Sequence, residues 1–380
     1  MYLILLIERM PEVWKNKNFR LFVIGTFPFM IYISLSSLWS ISLVDSFRYI
    51  PKYLLSIVLS LVIILEKKIS VKNSLKLLVY GTFIFLFFST FGEIFKDELG
   101  RTGEYFEGFS GRHQSKYYAV FVFLFLFSAI LTNFMKRYIL YIIGIVYTIV
   151  ILFLIVQRGA FLALLSGLLF IYIYVRKKSL HSIFALTLIL IVFLSGIYII
   201  FTSPSFQEYT FSSHKYTIND FQNAVLSGDI PSAINMIAFK GRLEMWEGSM
   251  EIFRNKIIGQ GLATTAVEME ETVGSYLELH NDFLQYLIEG GYLGFTLYLI
   301  MWISLFHLIW KFRDTNDNYI RFISISAGSY TAALFVWSFV DHVLNYAHMN
   351  FCYLFTLIAL LIKQSNENMQ GKKECDQQNF

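Results

Sequence analysis

Long apolar runs separated by short polar turns make up most of this chain, and their lengths match the reach of a helix across a bilayer. A hydrocarbon core needs about 20 apolar residues per helix, somewhat fewer where the bilayer thins or flanking side chains snorkel. That rule predicts ten spans, near 20–44, 53–66, 74–92, 117–135, 138–156, 160–175, 182–202, 291–310, 320–340 and 346–362. The second and sixth are short. The expected fold is all-α: a polytopic transmembrane helical bundle of about 10–12 spans with one large outer loop that contains short helices.

Composition agrees. With 56% hydrophobic and 15% charged residues the chain cannot be an ordinary water-soluble domain. It holds 39 Phe and 24 Tyr, many near the ends of apolar runs, as an interfacial aromatic belt requires. The apolar start, Tyr2 to Ile7, is too short for a signal peptide, so the first long span is expected to act as an uncleaved anchor. Cys352 and Cys375 imply no disulfide framework. Lysines and arginines set the orientation. With the N-terminus in the cytoplasm, Arg9, Lys15, Lys17 and Arg20 lie inside. So do Lys67, Lys68 and Lys72; Lys136 and Arg137; Arg176 to Lys178; Lys311 and Arg313; and Lys363, Lys372 and Lys373. An even number of spans returns the C-terminus to the same side.

Two outer segments are long enough to do work, one at about 93–116 and one at about 203–290. In the second, Pro231 suits the first turn of a helix through SAINMIAF. Arg242 opens a stretch in which Leu243, Trp246, Met250 and Phe253 follow helical spacing. Gly259, Gly261 and Thr264-Thr265 read as a loop, and an amphipathic helix is expected from about Ser275 to Glu289. The organisation is thus an N-terminal membrane bundle (1–202, about seven spans), a large outer loop (203–290), C-terminal spans (291–362) and a disordered cytoplasmic tail (363–380).

Three residues carry candidate chemistry. His280 falls in line with Leu277, Leu284 and Leu287, sharing the apolar face of the expected helix. An imidazole can exchange a proton near neutral pH, although an interfacial His satisfied by a backbone carbonyl is the plainer reading. Arg158 sits in a minimal outer turn, Val156-Gln157-Arg158-Gly159-Ala160, where it either snorkels to headgroups or points inward at an anion. Arg242 heads a helix, where the positive dipole end favours anions, or it pairs on the surface with Glu244 or Glu247. Glu268, Glu270 and Glu271 read as a solvated face rather than a cation site. Asp341, His342 and His348 lie in the last outer turn, near enough to join a site. Gly290, Gly291 and Gly294 would permit a broken helix or a close neighbour. The sequence has no Gly-rich phosphate loop, zinc spacing or serine nucleophile elbow, and no basic surface that would read nucleic acid.

Taken together, these motifs resemble the O-antigen ligase/polymerase superfamily of bacterial membrane proteins. The resemblance covers most of the chain in topology. In residues it rests on Arg158-Gly-Ala-Phe-Leu162, on Gly241-Arg242 through Trp246 followed by Gly259-Gln260-Gly261, and on His280-Asn281 with Gly291 and Gly294 downstream. The last resembles the ligases' signature of His-Asn/Ser/Gln, nine residues, then Gly-x-x-Gly/Thr/Tyr. A proline often found before the Gly-x-Gly turn is absent, Lys256-Ile257-Ile258 standing there instead. The resemblance implies a metal-independent, inverting glycosyltransferase without a cofactor, working on the periplasmic face of the inner membrane. It would move O-antigen polysaccharide from undecaprenyl pyrophosphate to the lipid A-core oligosaccharide. Arg158 and Arg242 would bind the pyrophosphate and stabilise its developing charge, and His280 would align the attacking hydroxyl. Asn281, Gly291 and Gly294 would join Arg158 and Arg242 in binding substrate. An O-antigen polymerase uses the same donor and is the nearest alternative. A transporter of a lipid-linked sugar or anion, the weaker alternative, predicts charged or broken helices at mid-membrane.

Overall fold

The computed structural model describes residues 2–94, 112–134, 137–155, 158–175, 218–229, 242–265, 279–343 and 347–378, with single positions between them. Among the described residues the regular elements are helices, with no strand. They are α1 (Tyr2–Trp14), α2 (Lys17–Leu35), α3 (Leu43–Leu65), α4 (Val71–Ile94), α5 (Arg112–Leu131) and α6 (Tyr138–Ile155). Then follow α7 (Arg158–Tyr174), α8 (Ile218–Leu226), α9 (Arg242–Glu251), α10 (Asp282–Trp310), α11 (Asn318–Trp337) and α12 (Ala347–Gln378). A helix stands at each expected span except 182–202, of which only Thr187, Ile191, Leu194, Ser195 and Tyr198 are described, each helical; most of the 93–116 segment and of the helix expected after Pro231 lies outside the described residues. Lys17–Trp39, Leu43–Leu65, Asp282–Trp310 and Asn318–Trp337 are long and apolar enough to cross a membrane.

Each C-terminal helix takes an N-terminal helix as its main partner: α12 packs on α3, α11 on α7 and α10 on α2. Helix α5 packs against α6, α7 and α11. Its sequence is apolar on every side, and every residue from Tyr117 to Ala129 is buried, as a helix without a polar face requires. Helix α6 shows the complementary case. Ile139, Ile142, Ile143 and Val146 form an exposed apolar stripe, while Tyr141, Ile145, Thr148 and Leu152 face the bundle. In a membrane such a stripe meets lipid.

Three sequence expectations need correction. The first span does not run to 44: α2 stops at Leu35, a 3-10 turn covers Ser36–Trp39, and α3 starts at Leu43. Ser36 and Ser37 bond back to the Ile33 and Ser34 carbonyls, and the Ser40 hydroxyl donates to the Leu262 carbonyl at 2.7 Å. Short polar side chains that can bond elsewhere favour a break over a continuous helix. The tail after Lys363 is not disordered at its start, because α12 runs on to Gln378. Asn368 Nδ2 ties it to Asp317 Oδ2 at 2.8 Å, and Asn16 bonds Asn366. Glu268 is buried rather than solvated, and Gln260 Nε2 donates to its two oxygens at 3.3 and 3.1 Å. Glu270 and Glu271 lie outside the described residues.

At one end of the bundle, basic side chains close helix C-termini. Arg9 Nη1 donates to Leu65 O at 3.1 Å and Lys363 Nζ to Ile63 O at 3.2 Å. Arg313 donates to Ile173 O at 2.7 Å and Tyr174 O at 3.1 Å. Cations on the free carbonyls of a last turn are favoured by the helix dipole. Since α7 runs away from Arg158 toward these contacts, Arg158 lies at the opposite end.

Candidate active site

Helix α10 begins at Asp282, two residues after His280. Asn281 is its N-cap, in extended backbone, with Oδ1 accepting from Leu284 N at 3.1 Å. The helix expected from Ser275 through Glu289 therefore does not contain His280. With φ 48°, His280 sits in the left-handed region, turning the chain into the cap, so its helical register with Leu277 does not hold. Few residues other than glycine adopt this conformation, although His is among the more tolerant. Residues 275–278 lie outside the described residues. The N-terminus of α10 is fastened to the turn after α11, with Asp282 N donating to Ser338 O at 2.8 Å and Val343 N to Asp282 Oδ2 at 3.0 Å.

That turn brings Asp341 to His280. The His280 Nδ1 lies 3.2 Å from Asp341 Oδ1, with the two side chains 34% and 12% exposed. Asp341 Oδ1 also accepts from His342 N at 2.9 Å, which orients the carboxylate. A carboxylate on Nδ1 favours the tautomer that keeps Nδ1–H and leaves Nε2 as the basic nitrogen. It also stabilises the imidazolium formed when Nε2 takes a proton. The His342 ring stands beside that of His280, with centroids 4.9 Å apart. His348, the third residue of that turn, has its side chain outside the described residues.

The side chains of Arg158 and Arg242 also lie outside the described residues, but the helices they open are placed. Arg158 begins α7, and the next residue is pressed onto the end of α11. A Cβ at Gly159 would lie 2.7 Å from Trp337 Nε1 and 3.5 Å from Val340 Cγ2, the latter adjacent to Asp341. Arg242 begins α9. One turn on, Trp246 Nε1 donates to Leu279 O at 2.9 Å, immediately before His280. Both arginine-headed helices thus start close to the His280–Asp341 pair, each with its positive dipole end there. Trp246→Phe keeps an aromatic ring but removes the donor and part of the indole's volume, so it is expected to destabilise the protein by about 1–3 kcal/mol. A lowered denaturation midpoint in detergent, with Glu247→Gln as the exposed control, checks this.

The Gly-x-Gly turn and Gly291 are two halves of one joint. Helix α10 is broken at Gly291 (φ 63°, ψ −168°). The groups released there pair with residues 256–261: Gln260 N and Gly261 N donate to Ile288 O and Glu289 O at 3.1 and 2.9 Å. Tyr292 N and Leu293 N donate to Lys256 O and Ile257 O at 2.8 and 3.1 Å. The Tyr32 hydroxyl donates to Ile258 O at 2.8 Å and lies 3.0 Å from Gly290 O. Gly294 faces the Tyr32 ring, where a Cβ would come within 2.9 Å of Cε1. The structure thus assigns packing work to both glycines, and Asn281, only 8% exposed, uses its carbonyl oxygen as a cap.

Sequence reading missed Gln285 and Glu289, both buried, which extend from His342 into the bundle. The available signal was a polar residue followed four positions later by an acidic one, on a helix leading into a span.

The fold and this site define a multi-pass helical membrane protein with a histidine–carboxylate pair at one end of its bundle. A family model described as O-antigen ligase matches residues 143–299, which include Arg158, Arg242 and His280. Over that stretch, less than half of its length, the chain is similar to the O-antigen ligase family. No curated protein matches the chain.

Proposed function

We propose that this protein is an O-antigen ligase of the bacterial inner membrane. It transfers O-antigen polysaccharide from undecaprenyl pyrophosphate to the lipid A-core oligosaccharide on the periplasmic face. Both termini are cytoplasmic in this reading. The observation that carries it is the 3.2 Å contact between His280 Nδ1 and Asp341 Oδ1, at the place where α7 and α9 begin.

In the reaction an acceptor hydroxyl of the core attacks the anomeric carbon of the donor sugar. The new glycosidic C–O bond forms as the bond to pyrophosphate breaks, and the configuration inverts. His280 Nε2 takes the hydroxyl proton, and Asp341 steadies the resulting imidazolium. Undecaprenyl pyrophosphate leaves with the bonding pair, and Arg158 and Arg242 bind it and offset its charge. Two guanidinium groups and two helix N-termini are enough for this, so no step calls for a metal. Asn281 supports the site by capping α10, and Gly291 and Gly294 by shaping the segment behind it. The transporter reading asks for a broken helix whose freed groups hold a solute. Helix α10 is broken, but its released carbonyl and N–H groups at 288, 289, 292 and 293 pair with the loop, which favours the enzyme.

Lipopolysaccharide profiling of a deletion strain complemented with wild type, Arg158→Ala or Arg242→Ala tests this, with expression checked. Each variant is expected to attach O-chains about 10²–10³-fold more slowly, the usual loss when one group stabilising developing charge is removed. Polymerised chains left on the lipid carrier in the deletion strain support the ligase. A core bearing a single repeat identifies the polymerase instead, and an unchanged profile removes both.

A further inference from the structure

The hydrogen bonds behind His280 have a fixed direction. The His280 backbone N–H donates to His342 Nε2 at 2.7 Å, so that nitrogen must be unprotonated. The neutral His342 ring therefore carries its proton on Nδ1, which donates to Gln285 Oε1 at 3.0 Å. With its oxygen engaged, Gln285 turns Nε2 to Glu289 Oε2 at 3.2 Å. Glu289 is 0% exposed, and its other oxygen accepts from the Thr265 hydroxyl and from Thr265 N at 3.4 Å. Every group in the series meets a partner of opposite role, from the catalytic turn through α10 to the loop joined at the helix break.

We infer that His342, Gln285 and Glu289 are positioning residues for the transfer reaction. Glu289, an acceptor at both oxygens, sets the Gln285 amide. Gln285 sets the His342 tautomer, and His342 Nε2 holds the His280 backbone in its left-handed turn. Reversing any link would put a donor against the His280 N–H and release the turn that presents the imidazole to Asp341. Thr265 makes the loop part of the same device. This inference rests on the reading of His280 as the group that takes the acceptor's proton.

The test exploits direction. In Glu289→Gln, the new amide can donate to residue 285, flip the Gln285 amide and force His342 to the Nε2–H tautomer. In the swapped variant, Gln285→Glu with Glu289→Gln, a carboxylate at 285 again accepts from His342 Nδ1–H and from the amide at 289. Full-length proteins in proteoliposomes would be assayed with undecaprenyl-pyrophosphate-linked O-antigen and purified lipid A-core. The single variant is expected to lose about tenfold or more in kcat, equivalent to about 1.4 kcal/mol, with little change in KM. The swapped variant should regain most of it. The 15N spectrum of histidine-labelled protein, with the His342 signal identified by His342→Gln, should show Nδ1–H in wild type and the swap but not in Glu289→Gln.

An unchanged kcat in Glu289→Gln, an unchanged His342 tautomer in that variant, or a swapped variant no better than the single one would each overturn the relay. In all three cases a dead His280→Ala leaves the ligase reading standing. If His280→Ala itself keeps full activity, the underlying reading fails instead.

Discussion

His280→Ala is expected to slow transfer by about 10²–10⁴-fold, the range that a positioned proton acceptor contributes, while the protein still folds and binds its donor. Folding should survive because the imidazole is partly exposed and its Nδ1 bond to Asp341 lies at the rim of the bundle, outside the apolar core. The left-handed backbone is held by the main-chain N–H, which alanine retains. Alanine tolerates that conformation less well than histidine, and the cost is about 1–2 kcal/mol, small beside the kinetic effect. Asp341→Asn should fall between this variant and wild type. The asparagine carbonyl can still accept from Nδ1–H, but it no longer offsets the charge of the imidazolium. The measurement is single-turnover transfer at saturating donor, where binding defects do not intrude. A rate for His280→Ala within a few-fold of wild type would remove the histidine from the chemistry and leave the arginines as its chief agents.

Much of this arrangement could be read from residue pattern, for a physical reason. The helical membrane fold was legible because hydrocarbon thickness imposes a length on apolar runs, and four of the described helices meet it. The same logic failed at Ser36–Ser42, where serines that bond back to their own turn, and Ser40, which bonds the loop 222 residues away, break a run that hydropathy alone would continue. Arg242 was rightly placed at the head of a helix, because Leu243 and Trp246 keep helical spacing. His280 was misread as helical because periodicity cannot register a single left-handed residue, though Asn281, a favoured cap, was the clue to a helix starting after it. Asp341 was seen only as a neighbour, since its pairing with His280 spans 61 residues and depends on how α10 and α11 meet. Gln285 and Glu289 were missed for a different cause. Their roles come from the direction of hydrogen bonds, a property of the folded network rather than of spacing.

Gly291→Ala is the variant expected to damage the fold most. The backbone there (φ 63°, ψ −168°) lies in a region that is essentially glycine's alone. Forcing a side chain into it costs about 1–3 kcal/mol. A Cβ would also fall 2.4 Å from both Gly259 N and Ile257 O, backbone atoms that cannot turn aside as a side chain would. Overpacking of this kind adds about 1–3 kcal/mol more. The joint between α10 and residues 256–261 should therefore open, exposing carbonyls at 288 and 289 that the loop now covers. Arg254 and Lys256 are exposed on that loop, so limited trypsin digestion of the detergent-solubilised protein reads the opening directly. Cleavage there should be faster in Gly291→Ala than in wild type, with a lower denaturation midpoint. Gly248→Ala, in α9, is the control, because nothing lies within 4 Å of the Cβ it would add. Its helical backbone also suits alanine, which gains about 0.5–1 kcal/mol over glycine inside a helix. Equal trypsin resistance in the two variants would mean that the break in α10 is not held by the loop, and that Thr265 reaches Glu289 by some other support. Loss of resistance in Gly291→Ala alone ties the Gly-x-Gly turn to Gly291 as one structural unit beneath the histidine.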